Sequence, residues 1–254
     1  MKLELATNLG LDGETLSSST GVVNTFPIEL IERILKAIFD GCDIATLRCC
    51  ALICSKWNAA CRLYLFQRIK IESEERLNEF KALLESKPDV GYHVYELVIR
   101  PASGQLPEPV GWFAKFPFAL SPHLARLRTI EFANLWEDFV AADFMDELSK
   151  LTTVTQLVAR DSFLSQSILE AFACAFPNLR DFCIGELYLL PPSSWDPTPS
   201  RLYDPCLSSL CVDPGSKWPD IVSQFLSWAI STGSRTTLQS LSLMGANFAT
   251  WIYN

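Results

Sequence analysis

The apolar positions change rhythm near residue 66, and the change divides the chain in two. Ahead of it, Phe26-Pro27 opens a run of Ile28, Leu30, Ile31, Ile34, Leu35, Ala37, Ile38 and Phe39 that stops at Asp40-Gly41. Proline suits a first helical turn because it has no N–H to lose there, and Glu29 favours the positive end of the helix dipole. A second helical piece carries Ile44, Leu47, Cys50, Ala51 and Cys54. A third, with Ser55 as its cap, carries Trp57, Ala60, Cys61, Leu63 and Tyr64. The pattern predicts three short helices between residues 26 and 65.

This block is too apolar for its size. An amphipathic helix needs one apolar stripe, yet the stretch from Ile28 to Phe39 is apolar on more than one face. About forty residues is also near the lower limit for an independent core. The surplus calls for a cover: the rest of the chain, a partner, or both.

Beyond Phe66 a short piece of the form apolar-x-x-apolar-x-apolar recurs. It runs Phe66/Ile69/Ile71, Val94/Leu97/Ile99, Leu127/Ile130/Phe132 and Val154/Leu157/Ala159, then Leu179/Phe182/Ile184, Leu207/Leu210/Val212 and Leu238/Leu241/Leu243. From one middle residue to the next the step is 28, 33, 27, 25, 28 and 31 residues. A period on this scale marks a solenoid. Candidate helices fill the intervals at 75–85, 139–151, 166–176 and 219–230. A strand and a helix in each step predict a parallel, right-handed, one-dimensional stack. Proline-rich stretches at 101–122 and 191–205 read as irregular excursions on one rim. Residues 1–25, rich in Ser, Thr, Gly and Asn, read as a mobile leader without the apolar block of a signal peptide. The aromatic tail 244–254 either folds back as a cap or marks a shortened chain.

The first block resembles an F-box. The matching residues are Phe26-Pro27-Ile28-Glu29-Leu30-Ile31 with Ile34-Leu35, then Asp43-Ile44-Ala45-Thr46-Leu47. Cys50-Ala51-Leu52-Ile53-Cys54-Ser55-Lys56-Trp57 follows, and Leu65-Phe66 closes the block. Phe26 stands where leucine is usual and Ile53 where valine is usual, both apolar and of workable volume. The repeat beyond resembles the divergent leucine-rich repeats that follow the F-box in many fungal proteins. It departs from strict leucine-rich repeats in step length and in lacking a regular Asn ladder. The expected fold class is therefore α/β: a small three-helix F-box at 26–65 followed by an irregular leucine-rich-repeat-like strand-helix solenoid over 66–254.

The resemblance implies a non-catalytic subunit of a Skp-cullin-F-box ubiquitin ligase. The F-box would dock on the Skp-type adaptor, and through it on a cullin-RING ligase, while the repeats capture a protein substrate. By the motif, the adaptor contact falls on Phe26, Pro27, Leu30, Ile31, Ile34, Leu47, Ile53, Lys56 and Trp57. An interaction scaffold not engaged in ubiquitination is the alternative. For capture, the strand positions beside the buried ones are candidates: Arg68, Lys70, Glu96, Arg100, Glu131, Gln156, Arg160, Asp181, Asp213, Gln239 and Ser242. They mix both charges. The loop aromatics Trp112, Phe113, Phe118 and Trp195 are a second set.

Composition narrows the remaining chemistry. A net charge of −8 opposes a nucleic-acid binder, which needs a basic face. No apolar run reaches the length of a membrane span. Nine cysteines, an odd number without an export signal, read as reduced thiols of a cytoplasmic or nuclear protein. Cys49, Cys50, Cys54 and Cys61 have no C-x-x-C spacing, so core thiols are expected rather than zinc ligands. His93 and His123 neighbour no cysteine in sequence, and no phosphate loop, H-E-x-x-H or calcium loop occurs. No cofactor is expected.

Overall fold

A computed structural model describes residues 26–41, 43–101, 111–135, 142–185, 188–189, 203, 205–213, 227–231 and 237–243. The chain begins with helices α1 (Ile28–Asp40), α2 (Ile44–Ala51) and α3 (Ser55–Leu65). Pro27 precedes α1 and its carbonyl accepts from the Leu30 and Ile31 amides. Asp43 caps α2, its carboxylate accepting from the Thr46 amide at 2.9 Å. Ser55 is the first residue of α3 and not its cap; Cys54 holds the cap position with extended backbone and no side-chain bond. The three helices share a small core of Ile31, Leu35, Leu47, Ala51, Trp57, Ala60 and Cys61.

Two residues after α3 a sheet begins. Its strands are β1 (Arg68–Ile71), β2 (Glu96–Ile99), β3 (Thr129–Ala133), β4 (Gln156–Arg160), β6 (Asp181–Gly185), β8 (Ser209–Asp213) and β9 (Ser240–Leu243). They lie in sequence order and pair in parallel throughout. Two shorter strands, β5 (Phe163–Leu164) and β7 (Tyr188–Leu189), pair in parallel as a second sheet. Each of the seven apolar pieces read from the sequence coincides with one strand of the main sheet. Their middle residues are register partners: Ile69, Leu97, Ile130, Leu157, Phe182, Leu210 and Leu241.

One backbone contact repeats at every step of the sheet. The carbonyl just ahead of each strand accepts two successive amides from the start of the next. Gln67 takes those of Tyr95 and Glu96, Tyr95 those of Arg128 and Thr129, and Arg128 those of Thr155 and Gln156. Thr155, Arg180 and Ser208 continue the series, and all twelve bonds fall between 2.7 and 3.0 Å. At the other end of the strands, Asn134 and Asp161 occupy equivalent positions after β3 and β4, with φ of 58° and 50°. Asn and Asp tolerate this left-handed backbone better than other non-glycine residues. The Asn134 amide donates to the Pro101 carbonyl at 3.2 Å, and Asp161 pairs with Arg100 at 3.4 Å.

Helices return the chain between strands: α4 (Glu74–Ser86), α5 (Gly111–Leu120), α6 (Ala142–Leu148) and α7 (Gln166–Ala175). Ser73 caps α4, accepting from the Arg76 amide at 3.3 Å. α6 is shorter than the expected 139–151, and α7 closely matches 166–176. The stretch 101–122, expected to be irregular, contains α5. Trp112, Phe113, Phe116 and Leu120 make a helical stripe there and are buried, with Pro117 accommodated inside the helix. Proline removes one interior hydrogen bond, but this helix is held from outside. Phe113 stacks on Phe144 at 5.1 Å and meets Phe132 at 6.0 Å, and Phe132 meets Phe172 at 5.0 Å. These rings sit within one continuous core that runs from Ile71 to Ala229.

The expected leader 1–25, most of the excursion at 191–205, most of the helix at 219–230 and the tail 244–254 lie outside the described residues. Among those described, no helix is long and apolar enough to cross a membrane.

The helix-side packing makes a sharp test at Gly91, in the 3-10 turn Pro88–His93. A methyl group added there would run into the backbone carbonyl of His123, which belongs to the next unit and cannot rotate away. Gly91→Ala is expected to destabilise the protein by about 1–3 kcal/mol, measured by chemical denaturation.

Candidate functional site

The three-helix unit has two apolar stripes where its core needs one. On α1, Ile31 and Leu35 are sealed, whereas Leu30 and Ile34, each one residue earlier, are 44 % and 39 % exposed. One residue is 100° of helix rotation, so the second stripe flanks the first instead of joining the core. Phe26, Ile28, Ile44, Leu52, Ile53 and Leu63 are exposed as well, Leu52 at 68 %. Eight of the twelve large apolar side chains exposed among the described residues therefore belong to residues 26–63.

The residues expected to contact an adaptor separate into two groups on this geometry. Phe26, Pro27, Leu30, Ile34 and Ile53 are exposed, and Lys56 is half-buried. Its ammonium donates to the Phe26 carbonyl at 2.8 Å, tying α3 to the entry of α1. Ile31, Leu47 and Trp57 instead close the unit's own core. They support the surface from beneath and do not present side chains on it. The Trp57 indole N–H is buried without a hydrogen-bond partner. Ile28, Ile44, Leu52 and Leu63 are exposed as well but were missing from the expected set. The excess of apolar positions in 28–39 and after Ala51 was the available signal for them.

The second surface is the sheet face turned away from the helices. Its first row runs Arg68, Glu96, Thr129, Gln156, Asp181, Ser209 and Ser240 in register. Arg68 bridges Glu96 at 3.1 Å and Glu131 at 3.2 Å. Burial pushes the Glu96 carboxyl up; Arg68 opposes this, Glu131 adds to it, and Arg160 opposes it again. Thr129 donates to Gln156 at 3.0 Å. The third row places Val98 and Val158 among charged neighbours, and both are buried. The structure thus brings Arg68, Glu96, Glu131, Gln156, Arg160 and Asp181 onto one face, with Arg100 at its rim. Lys70 and Ser242 lie in the same rows, and Asp213 ends its strand; Gln239 precedes β9, whose Ser240 holds the first-row position instead. Half-exposed ion pairs of this kind contribute little to stability, about 0–1 kcal/mol each.

The loop aromatics divide differently. Trp112 and Phe113 are buried in α5 and belong to the core, because the segment is helical and not a loop. Phe118 is exposed. Trp195 lies outside the described residues.

The titratable groups that the fold buries have structural partners. Burial works against ionisation of Glu147, but hydrogen bonds from Lys150 and Ser121 outweigh it and hold the carboxyl below its ordinary range. The Ser121 hydroxyl lies 2.7 Å away, linking the turn after α5 to α6. A carboxyl so held stays ionised at neutral pH and is a poor proton donor. Burial pushes the Cys61 thiol up to about 11, with a further push from Cys50. Among the described residues, no group of three or more His, Cys, Asp or Glu side chains is placed to hold a metal ion.

No family model matches the chain, and no curated protein matches it.

The two stripes of α1 should respond oppositely to substitution. Leu30→Glu and Ile34→Glu are expected to leave unfolding free energy within about 0.5 kcal/mol, as surface changes do. Leu35→Ala is expected to cost about 2–5 kcal/mol, because its side chain is sealed in a small core. Denaturant titration of the three variants measures the contrast. At the entry of α2, the bonds from Thr46 hold the Asp43 carboxyl below its ordinary range. Its contribution is present above the unfolded carboxylate pKa and fades as pH falls through the folded one. Asp43→Ala should therefore weaken the helical signal at neutral pH and narrow its difference from the parent in acid, read by circular dichroism.

Proposed function

We propose that this chain is a substrate-recognition adaptor of a Skp-cullin-F-box ubiquitin ligase. Residues 26–65 act as an F-box that docks on a Skp-type adaptor. The strands and helices beyond form an irregular leucine-rich-repeat-like solenoid whose polar sheet face captures a protein substrate. The chain contributes no chemical group to ubiquitin transfer. It raises the local concentration of the target near a charged ubiquitin carrier held elsewhere in the assembly.

The observation that carries this reading is the exposure of Phe26, Leu30, Ile34 and Ile53 beside a core already closed by Ile31, Leu47 and Trp57. Large apolar side chains concentrated on the outside of a small unit mark a contact that another molecule completes. Apolar side chains with a cation beside them, here Lys56, suit an interface with a protein partner. The sequential parallel sheet supports the second half, since one-dimensional stacks offer long faces to protein partners. The mixed charges of Arg68, Glu96, Glu131, Arg160 and Asp181 suit a target of neither strongly basic nor strongly acidic character.

Co-expression of the full chain with a Skp-type adaptor should give a one-to-one complex on gel filtration. Leu30→Glu combined with Ile34→Glu should weaken the complex at least about 100-fold, roughly 2.7 kcal/mol, while thermal unfolding of the free chain is unchanged. A folded chain that stays separate from the adaptor overturns the ligase reading and leaves the interaction scaffold.

A further inference from the structure

The polar sheet face carries one pairing that the adaptor reading does not use. Cys183 in β6 and Cys211 in β8 are direct register partners on adjacent parallel strands. Their neighbours in sequence, Phe182, Ile184, Leu210 and Val212, all point into the helix-side core. Strand alternation therefore turns both thiols to the opposite face. Both are half-buried, within reach of small solutes, and the Cys183 thiol interacts with that of Cys211, with Arg160 beside it. In the same row they are flanked by buried Val158 and half-buried Ser242. Among the described strands no other two cysteines are register partners.

We propose that Cys183 and Cys211 are a reversible redox site, closed to a disulfide by peroxide and reopened by thiol reductants. Neighbouring strands lie about 4.8 Å apart, inside the usual Cα separation of a disulfide. Parallel side-chain vectors leave the Cβ atoms about as far apart, slightly beyond the 3.5–4.5 Å that a relaxed disulfide adopts. The strands can pinch far enough to form the bond, but it closes under strain. Strained disulfides are the readily reduced ones, so the geometry favours a switch over a permanent staple.

Burial first, and then the hydrogen bond to Cys211, pushes the Cys183 thiol up to about 11. One of the two sulfurs, as its thiolate, attacks one peroxide oxygen and breaks the O–O bond; the departing hydroxide takes a proton and leaves as water. That sulfur is then a sulfenic acid. The partner sulfur attacks it and the S–S bond forms. The sulfenic hydroxyl leaves as a second water with the partner thiol's proton. Two thiols and one peroxide give one disulfide and two waters, the two electrons passing from sulfur to oxygen. The site stands independently of any adaptor contact, because it needs only the register of β6 and β8.

The test uses the full chain, treated with hydrogen peroxide, alkylated and digested without reduction for mass spectrometry. The expected product joins the Cys183 and Cys211 peptides with the loss of two hydrogens, and excess reduced glutathione restores both thiols. In at least one of Cys183→Ser and Cys211→Ser the remaining thiol should be trapped as its sulfenic acid by dimedone. Circular dichroism confirms that both variants fold. A folded wild-type chain that shows no joined peptide, pairs either cysteine elsewhere, or resists glutathione once joined overturns the proposal. So does the absence of dimedone labelling in both folded variants.

Discussion

Each step of the sheet hangs on one carbonyl that accepts two amides. From Gln67 to Ser208 the residue just ahead of a strand takes two successive N–H groups from the next unit, at 2.7–3.0 Å throughout. The doubled bond takes the amide of the next strand's first paired residue and that of the residue ahead of it. It therefore sets the register that lines up Ile69, Leu97, Ile130, Leu157, Phe182, Leu210 and Leu241. A slip of one residue would turn that whole row to the solvent face. The same register decides what lies on the polar side. It brings Arg68 to Glu96 and Glu131, and Cys183 to Cys211. Neither cluster exists in any single unit.

The sheet meets the three-helix unit with almost no linker. α3 ends at Leu65, the Phe66 amide bonds back to Arg62, and Gln67 already carries the first doubly accepting carbonyl. Phe66 packs against the core on the sheet side, whereas Leu65 and Tyr64 pack against the helical core. Two cores thus abut within a few residues while staying distinct. The helical core closes with only seven buried residues, and the second apolar stripe of α1 stays outside it, half-exposed among the described residues. A larger unit would have folded another element over it. The exposed stripe is a consequence of size as much as of composition.

The polar face shows the converse economy. Arg68, Lys70 and Arg100 on it are each paired with carboxylates, although the chain is strongly acidic. A surface of this kind discriminates by shape and hydrogen-bond pattern more than by long-range attraction. Buried Val98 and Val158 give it an apolar floor between the charged rows. The sealed aromatic layer of Phe113, Phe116, Phe132, Phe144 and Phe172 on the other side makes that floor stiff.

Much of this layout was legible in the amino-acid order because it rests on local periodicity. The recurring apolar-x-x-apolar-x-apolar piece located the strands of the main sheet, and the step near 28 residues implied parallel pairing in sequence order. Prolines misled at 101–122, where the stripe Trp112, Phe113, Phe116 and Leu120 was strong enough to hold a helix through Pro117. Its aromatic partners Phe132, Phe144 and Phe172 are distant in sequence, so their influence could not be read locally. For the same reason the motif at 26–57 named Ile31, Leu47 and Trp57 together with Leu30, Ile34 and Ile53 as one set. Residue type marks a side chain as apolar, but only the packing of three helices divides those that close a core from those left bare. Register has the same character: each strand announces itself, yet which thiol faces which thiol, and which carboxylate shares an arginine, is decided when neighbouring units stack.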